Sequence, residues 1–506
     1  MKDNPLVFNP DAYVLKEITV KGKVIRYRAW EGIVYVAKPI AAAEMEDMEP
    51  MPGLLLPNYL PVAGTSTHIF QSLNIYAPVP DGDNAAKAGA GKKPPILFRT
   101  YVGFYLPALP GAIGRELDKK DRFLYPDEEG RDFTPRALAE GYVVVSPGSR
   151  GSTSVAAEDH GHYIGRAPAL IADLKAAIRY LRRNAGLIPG DAERIITDGY
   201  SAGGASSCLL ALSGNDSAFE PYLEEIGAAE ERDDVFAALS FCPITDIENS
   251  DTAYEWLYNG IGATPGLKNG AAIPWESFPE KKRLLSDELK ALYPDYIDSL
   301  NMVREDTGER LTADNYLDYI CYFLKRSAQK ALDSGEAIPP ETGISVEDGK
   351  VADIDFKKYL TLMGRWSPVK DPPSYDNLGF VPNPDGSFEN ILFADETRRT
   401  VTYTDWALRK LTGDPGAAVA GDIRERVRLM NAMTFLAAGN IGKKAKHIFL
   451  RHGAFDRDTS FTVPINLYTK LKEAGLSVDF DFGWGQAHAG DYGEDEAFAW
   501  IASILE

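Results

Sequence analysis

The sequence predicts an α/β fold in which a mostly parallel central sheet is covered by helices on both faces. Apolar segments of strand length alternate with helical segments from residue 94 to about 245, and the alternation resumes at residue 446. A second observation agrees: the segment GYSAG (199–203) lies between one such strand and the helix after it. Buried parallel strands need crossover connections, which are usually helices packed on the two sheet faces.

The predicted elements follow in chain order. The first third is rich in strands: residues 16–36 predict two paired strands with a turn at Lys21-Gly22, and SLNIYAPVP (72–80) predicts another. Residues 81–93 contain only Gly, Ala, Asp, Asn and Lys, which is typical of an exposed loop. The alternating part that follows predicts strands at 94–103, 141–151, 194–201 and 235–244, and helices at 134–140, 168–184 and 202–214.

From about residue 246 to 425 the alternation stops. This stretch is helical in pattern, acidic and rich in Tyr, with Pro-rich breaks near 339–340 and 368–373. Because the sheet pattern resumes afterwards, we interpret 246–425 as a large, mainly helical insertion, or lid, in a core formed by 1–245 and 426–506. The resumed pattern predicts strands at 446–456 and 477–485, and helices at about 463–475 and from about 493.

Composition excludes several classes of function. The chain has 506 residues and a net charge of −20, so it repels phosphate backbones and we expect no nucleic-acid partner. No apolar segment approaches the ~18 residues of a membrane span, and the N-terminus lacks the apolar core of a signal peptide, so we expect no membrane and a cytoplasmic location. Three cysteines are too few and too scattered for a disulfide framework or a metal site, and Cys208 and Cys242 lie in apolar segments typical of buried thiols.

The segment GYSAG matches the nucleophile elbow G-x-S-x-G. In an elbow the strand turns sharply into a helix, which puts the serine in a strained conformation, and side chains at 199 and 203 would collide across the turn. A plain structural turn is the alternative, but the strand before the segment and the helix after it favour the elbow. We therefore predict Ser201 as the nucleophile of an enzyme.

The same geometry predicts where an oxyanion would be held. The helix after Ser201 has free N–H groups and a positive dipole end, so the N–H of Ala202 is one expected donor. The second donor is expected from the loop after the strand that ends at Val102. Gly103 or Phe104 is the candidate, with Gly103 leaving room for close approach.

A serine nucleophile needs a base, and the chain has six histidines: His68, His160, His162, His447, His452 and His488. Hydrolases with this elbow carry their residues in the order Ser, acid, His, which excludes the first three. His447 lies inside a predicted strand, and His452 precedes every good acid candidate. His488 follows the last strand, where a base can reach the carboxyl edge of the sheet, so we predict it as the base.

The acid should follow the preceding strand, where RHGAFDRDTS holds two candidates. Asp456 and Asp458 are two residues apart, so in an extended segment their side chains share a face. Either could hold the imidazolium, and position alone favours Asp456 only slightly.

Several longer segments resemble the bacterial tannases of the tannase/feruloyl esterase group. They are APALIADLKAAIRYLRRN, PGDAERIITDGYSAGGAS, FCPITDIENSDTAYEW, RHGAFDRDTSF and QAHAGDYGEDEAFAWI, which together cover the predicted core and the start of the insertion. The resemblance implies an α/β-hydrolase fold and Asp456 as the acid. In that family an Asp, a Lys and a Glu contact three adjacent hydroxyls of a galloyl ring.

The ring-binding residues of the family match three positions of this chain. Asp458 stands two residues past the acid, Lys370 precedes the Pro-x-aromatic-Asp pattern in KDPPSYD, and Glu389 begins the Glu-Asn pair in FENILF. Between the last two, GFVPNPDG is added relative to the family pattern. Without the resemblance, Lys370 and Glu389 would be interpreted as surface charges.

The sequence therefore predicts a serine esterase that cleaves a small-molecule galloyl or related phenolic ester through an acyl-enzyme, with no metal or organic cofactor. One alternative is a feruloyl or general carboxylesterase, since ferulate has fewer free hydroxyls. A serine peptidase is less favoured because no repeat predicts a propeller domain. A non-catalytic binding protein on the same fold is the alternative outside enzymes, but this chain retains every part of the predicted triad.

Overall fold

A nine-stranded sheet forms the centre of the fold, as the alternating pattern predicts. A computed structural model of the chain describes residues 6–48, 58–61, 64–79, 93–113, 132–264, 272–367, 369–379, 386–437 and 442–506. The loop predicted at 81–93 lies outside these ranges except for its last residue.

The strands are numbered in chain order. They are β1 (Val14–Val20), β2 (Lys23–Val34), β3 (Met45–Met48), β4 (Asn58–Pro61), β5 (Ser72–Pro78), β6 (Pro95–Arg99), β7 (Val143–Pro147), β8 (Asp191–Tyr200), β9 (Ala237–Phe241), β10 (Ile344–Glu347), β11 (Lys350–Ile354), β12 (His447–Gly453) and β13 (Ser477–Gly483). Each predicted core strand is found within a few residues of its expected position.

The α-helices are numbered in the same way. They are α1 (Phe133–Ala139), α2 (Ala169–Arg183), α3 (Ala202–Leu212), α4 (Glu220–Glu225), α5 (Ser250–Tyr258), α6 (Glu280–Ser299), α7 (Tyr316–Asp333), α8 (Phe356–Met363), α9 (Phe388–Leu392), α10 (Asp405–Thr412), α11 (Gly421–Met430), α12 (Thr462–Glu473) and α13 (Glu494–Leu505). Short 3-10 helices occur at Ile69–Gln71, Ser217–Phe219, Ile247–Asn249, Trp275–Ser277, Pro340–Thr342 and Ala432–Leu436. None of the helices in the described ranges combines the length and the apolar character that crossing a bilayer needs.

The strand order of the large sheet is β1-β2-β5-β7-β6-β8-β9-β12-β13. The first four strands in this order pair antiparallel with one another, and from β7 onward each strand pairs parallel with the next. Strands β6, β7 and β9 are buried along their whole length, which explains their continuous apolar sequences. The sheet confirms the predicted α/β-hydrolase fold, and it brings the carboxyl ends of β6, β8, β9, β12 and β13 to one edge.

The chain between β9 and β12 contains helices α5 to α11 and adds no strand to the large sheet among its described residues. It also contains the antiparallel hairpin β10–β11, which the sequence pattern did not predict. The turn of that hairpin is Asp348-Gly349, and both residues have positive φ angles (48° and 75°). The signal was therefore present as an Asp-Gly turn between two short segments with β-branched residues, but those segments are largely exposed and lack a continuous apolar run.

Candidate active site

Ser201 stands between the end of β8 and the start of α3 with φ 57° and ψ −125°, a strained conformation for a residue other than glycine. A Cβ at Gly199 would lie 2.5 Å from the carbonyl oxygen of Gly203, so the first glycine is required across the turn, as predicted. A Cβ at Gly203 would instead lie 2.9 Å from the carbonyl oxygen of Val102, in the loop after β6. The second glycine is therefore needed because a different segment packs against the elbow.

Three side chains form a continuous line of hydrogen bonds at this edge of the sheet. The Nε2 atom of His488 lies 2.8 Å from Ser201 Oγ, and its Nδ1 atom lies 2.8 Å from Asp456 Oδ2. The other oxygen of Asp456 accepts the backbone N–H groups of Asp458, at 2.8 Å, and Thr459, at 3.2 Å. Both carboxylate oxygens of Asp456 are thus engaged, which fixes the orientation of the imidazole ring.

The electrostatics of this line favour an ion pair between the acid and the imidazole. Burial alone would raise the pKa of the fully buried Asp456, but the adjacent His488 and the hydrogen bonds to the carboxylate lower it to about 2. Burial lowers the pKa of His488, but the charge of Asp456 outweighs it, and the net direction is upward. Asp456 is therefore suited to stabilise a protonated His488.

Asp458 faces the opposite nitrogen of the same ring. Its Oδ2 atom lies 3.6 Å from His488 Nε2, beyond hydrogen-bonding distance, whereas Asp456 is bonded to Nδ1. The two carboxylates that the sequence could barely distinguish therefore flank the imidazole from different sides. Asp458 lies on the side of Ser201, where a substrate would be.

A second histidine lies beside the acid, a position that the sequence analysis did not predict when it excluded this residue as the base. His452, near the end of β12, is fully buried, and its Nδ1 atom is 3.6 Å from Asp456 Oδ2. Burial lowers the pKa of His452 to about 4 even though Asp456 opposes the shift, so the ring is neutral at neutral pH. The available signal was its position, four residues before Asp456 at the end of the same strand.

Cys242 is a buried thiol, as predicted, but it lies at the site rather than in remote core. It follows β9 with φ 33°, and its Sγ donates to the carbonyl oxygen of Ala489, at 3.0 Å, next to His488. Within the described ranges, the ligand atoms of Cys242, Asp456 and His488 form the one group with the composition of a metal site, within 4.8 Å of one another. An ion there would compete with the hydrogen bonds of His488.

The predicted oxyanion donors lie on two segments that touch. Ala202 is the first residue of α3, and Gly103 and Phe104 follow Val102, whose carbonyl packs on Gly203. A Cβ at Gly103 would meet no atom within 4 Å, so glycine is not required there by contacts inside the protein. Phe104, with φ 53°, and the residue after it adopt positive φ angles instead.

The structure also brings Lys370 to Asp458. The Lys370 Nζ atom is 3.4 Å from Asp458 Oδ1, and each side chain is only 7% exposed. Glu389 is half-buried, and burial raises its pKa to about 7, with Lys370 opposing the shift and Asp458 adding to it. Lys370 and Glu389 are therefore not the solvated surface charges that local sequence alone would predict.

The segment that carries Lys370 is fixed to α5 by backbone contacts. The carboxylate of Asp251 accepts the N–H groups of Ser374, Tyr375 and Asp376 at 2.7 to 3.0 Å. The Nζ atom of Lys370 lies 3.7 Å from the centre of the Tyr375 ring, and the Tyr375 hydroxyl donates to the Asp458 carbonyl at 2.7 Å. One short segment thus holds the ammonium and contacts the backbone of the neighbouring carboxylate.

A fully buried ion pair supports the same segment from behind. The guanidinium of Arg365 contacts both carboxylate oxygens of Glu255, at 2.7 and 2.8 Å, and also donates to the carbonyl of Lys370, at 2.8 Å. Sequence reasoning identified neither partner, because residues 110 positions apart show no local pattern.

Glu389 lies in the first turn of the short helix α9, which begins with a capping box formed by Ser387 and Asn390. The ring of Phe388 lies 5.1 Å, between centroids, from that of Phe104. The chain between β9 and β12 therefore touches the loop that carries the candidate oxyanion donors.

The chain is similar to several known ester hydrolases. A family model described as BD-FAE matches residues 126–264. Esterase LipQ of Mycobacterium tuberculosis is 36% identical over 90 residues, and the chain spans only 20% of that protein's length. The native tannin acyl hydrolase of Lactobacillus plantarum is 34% identical with a TM-score of 0.82, and the match covers 99% of both chains. A tannase from Fusobacterium nucleatum is also 34% identical over 99% of both chains, with a TM-score of 0.80. A tannin acyl hydrolase structure in complex with ethyl gallate is 33% identical over 99% of both chains, with a TM-score of 0.81.

Proposed function

Because the chain belongs to the tannase family and is a carboxylic ester hydrolase, we propose that it cleaves galloyl esters with Ser201, His488 and Asp456 as its catalytic triad. The observation that carries the proposal is the line of two 2.8 Å contacts from the strained Ser201 through His488 to Asp456. The ethyl gallate complex of a similar chain supports the substrate class.

The reaction proceeds by acyl transfer. His488 Nε2 takes the proton of Ser201 Oγ as this oxygen attacks the ester carbonyl carbon, and Asp456 stabilises the imidazolium. The N–H groups of Ala202 and of Gly103 or Phe104 hold the tetrahedral oxyanion. The carbon–oxygen bond of the ester then breaks, and His488 gives its proton to the leaving alcohol. Water attacks the acyl-enzyme with His488 again as base, and the carboxylic acid leaves as Ser201 recovers its proton.

The acyl ring is held by Asp458, Lys370 and Glu389. Three vicinal hydroxyls present donors to the two carboxylates and acceptors to the ammonium, so the charges found together here are complementary to such a ring. The insertion at 246–425 supplies Lys370 and Glu389, and the core supplies Asp458 and the triad. Two of the three ring-binding residues therefore come from the insertion, whereas the third comes from the core together with the triad.

Labelling with a fluorophosphonate tests the nucleophile directly. The reagent should phosphonylate Ser201 in the wild type, and Ser201→Ala and His488→Ala should lose turnover by about 10⁶-fold, as loss of a triad member does. Ser213→Ala is the matched control, because Ser213 caps the other end of α3, and it should keep full activity. Labelling at another serine, or clear turnover by Ser201→Ala, would overturn the proposed mechanism.

A further inference from the structure

One buried guanidinium connects the segments that carry the nucleophile and the base. The Nη1 atom of Arg99 lies 3.0 Å from Asp198 Oδ2 and 2.6 Å from Asp491 Oδ1. The Arg99 side chain is 2% exposed, and neither carboxylate is exposed at all. Asp198 is on β8, three residues before Ser201, and Asp491 is three residues after His488.

Arg99 belongs to a third segment of the site. It is the last residue of β6, and the loop after it leads to Gly103 and Phe104. The next residue, Thr100, donates its N–H to the carbonyl of Asp198 at 3.0 Å. The segments with the nucleophile, the base and one set of oxyanion donors therefore meet at one cation that touches none of the reacting atoms.

Asp491 and its neighbours hold the loop after His488 against the core. Asp491 has φ 56°, and its Oδ2 accepts the N–H of Phe133, at 3.2 Å, at the start of α1. Gly490 packs so closely on Tyr200 that a Cβ would lie 2.3 Å from the Tyr200 Cβ. The contact of Asp491 with Arg99 is the one between charged groups among these three, and Asp491 follows the base, His488, by three residues.

Stability alone gives little reason for this arrangement. Burying two carboxyl groups against one guanidinium costs desolvation energy, and apolar residues often stabilise a core equally well. Burial raises the pKa of Asp198 to about 6 and that of Asp491 as well, although the charge of Arg99 opposes both shifts. Such perturbed groups are concentrated at functional sites, where their energetic cost is compensated elsewhere.

We propose that Arg99, through Asp491 and Asp198, is a positioning residue that sets the distance between His488 and Ser201. The proposal rests on the proposed triad, and it assigns Arg99 no contact with substrate. Displacing a reacting group by about 1 Å can cost on the order of 10²-fold in rate. A loosened loop should therefore slow the chemical steps while leaving binding of the acyl ring in place.

The test compares Asp491→Asn with a matched variant of another buried ion pair. Asp491→Asn keeps the shape of the side chain but replaces one of its two acceptor oxygens, which bond Arg99 and the N–H of Phe133, by an amide donor. We expect kcat to fall by about 10- to 100-fold with methyl gallate and with p-nitrophenyl acetate. KM for methyl gallate should stay within about threefold of the wild type. Asp233→Asn is the control: Asp233 is 1% exposed, 2.8 Å from Lys175 and from Arg179, and outside the site, so it should lower Tm without changing kcat.

Arg99→Lys is the second variant, because it keeps the charge and removes the planar fork. If either variant folds and shows the selective loss of kcat, the proposal stands. It is overturned if the folded variants keep kcat within about twofold while Tm falls as in the control, or if both variants fail to fold while Asp233→Asn folds. Failure of the triad itself would show separately, as wild-type labelling at a serine other than Ser201.

Discussion

Replacing Lys370 by Met tests how the site recognises its acyl group. The side chains have similar length, so the change mainly removes the ammonium that lies 3.4 Å from Asp458 and over the Tyr375 ring. The charges of Glu389 and Asp458 would then repel without the opposing cation. The pKa of Glu389, already raised to about 7 by burial against the opposing charge of Lys370, should rise further, so the residue would be protonated at neutral pH.

The size of the effect follows from the lost contacts. A hydrogen bond to a charged group contributes about 1.5–3 kcal/mol, and about 1.4 kcal/mol corresponds to a factor of ten. One lost ammonium contact to a ring hydroxyl should therefore lower kcat/KM for methyl gallate by roughly 10- to 150-fold. The triad is unchanged, so p-nitrophenyl acetate, which has no ring hydroxyl, should be cleaved at nearly the wild-type rate.

The measurement is kcat/KM of the wild type and of Lys370→Met with methyl gallate and with p-nitrophenyl acetate. Lys282→Met is the matched control, since Lys282 pairs with Asp371 at 2.8 Å beside the same segment and should leave both substrates unaffected. Equal losses on both substrates would indicate damage to the triad instead of lost recognition. An unchanged rate with methyl gallate would refute the role of Lys370, although the chain would still be an esterase.

Two further predictions concern the triad and the elbow. With p-nitrophenyl acetate, kcat/KM should rise with pH through the pKa of His488, because only the neutral imidazole accepts the serine proton. Asp456 raises this pKa above the ordinary value of about 6.5, against the effect of burial. Asp456→Asn should move this inflection to lower pH and reduce kcat by about 10⁴-fold, and an unmoved inflection in the pH–rate profile would contradict the assignment. Gly199→Ala places a Cβ 2.5 Å from a carbonyl oxygen across the turn and should abolish most activity and lower stability by about 1–3 kcal/mol, measured by denaturant unfolding. Gly186→Ala, which meets no atom within 4 Å, is its control, and equal behaviour of the two variants would remove the steric argument for the elbow.

Sequence predicts the features of the fold and of the site that depend on local pattern or on chain order. The elbow around Ser201 is a five-residue motif, and the rule that parallel strands end at one edge places His488 and Asp456 near it. Choosing Asp456 over Asp458 required family resemblance, because adjacent positions on one extended segment carry the same local signal. The structure shows why: both flank His488, on different nitrogens.

The parts that sequence could not predict depend on contacts between distant residues. Arg99 meets Asp491 across 392 positions, and nothing near either residue marks it as more than a charge at a strand end or in a loop. The burial of Lys370 likewise depends on α5, where Asp251 binds the backbone of its segment and Glu255 binds Arg365 of that segment. Such charges are interpreted as solvated until the fold shows what covers them.

The most direct test of the central claim is a comparison of the wild type on three substrates: methyl gallate, methyl ferulate and p-nitrophenyl acetate. Ferulate lacks two of the three vicinal hydroxyls, so it would leave buried charges at Asp458, Lys370 and Glu389 without partners, and sites built to bond a hydroxyl reject such analogues strongly. We expect kcat/KM for methyl gallate to exceed that for methyl ferulate by at least about 10²-fold. Equal specificity constants for gallate and ferulate, or hydrolysis of p-nitrophenyl acetate alone, would contradict it.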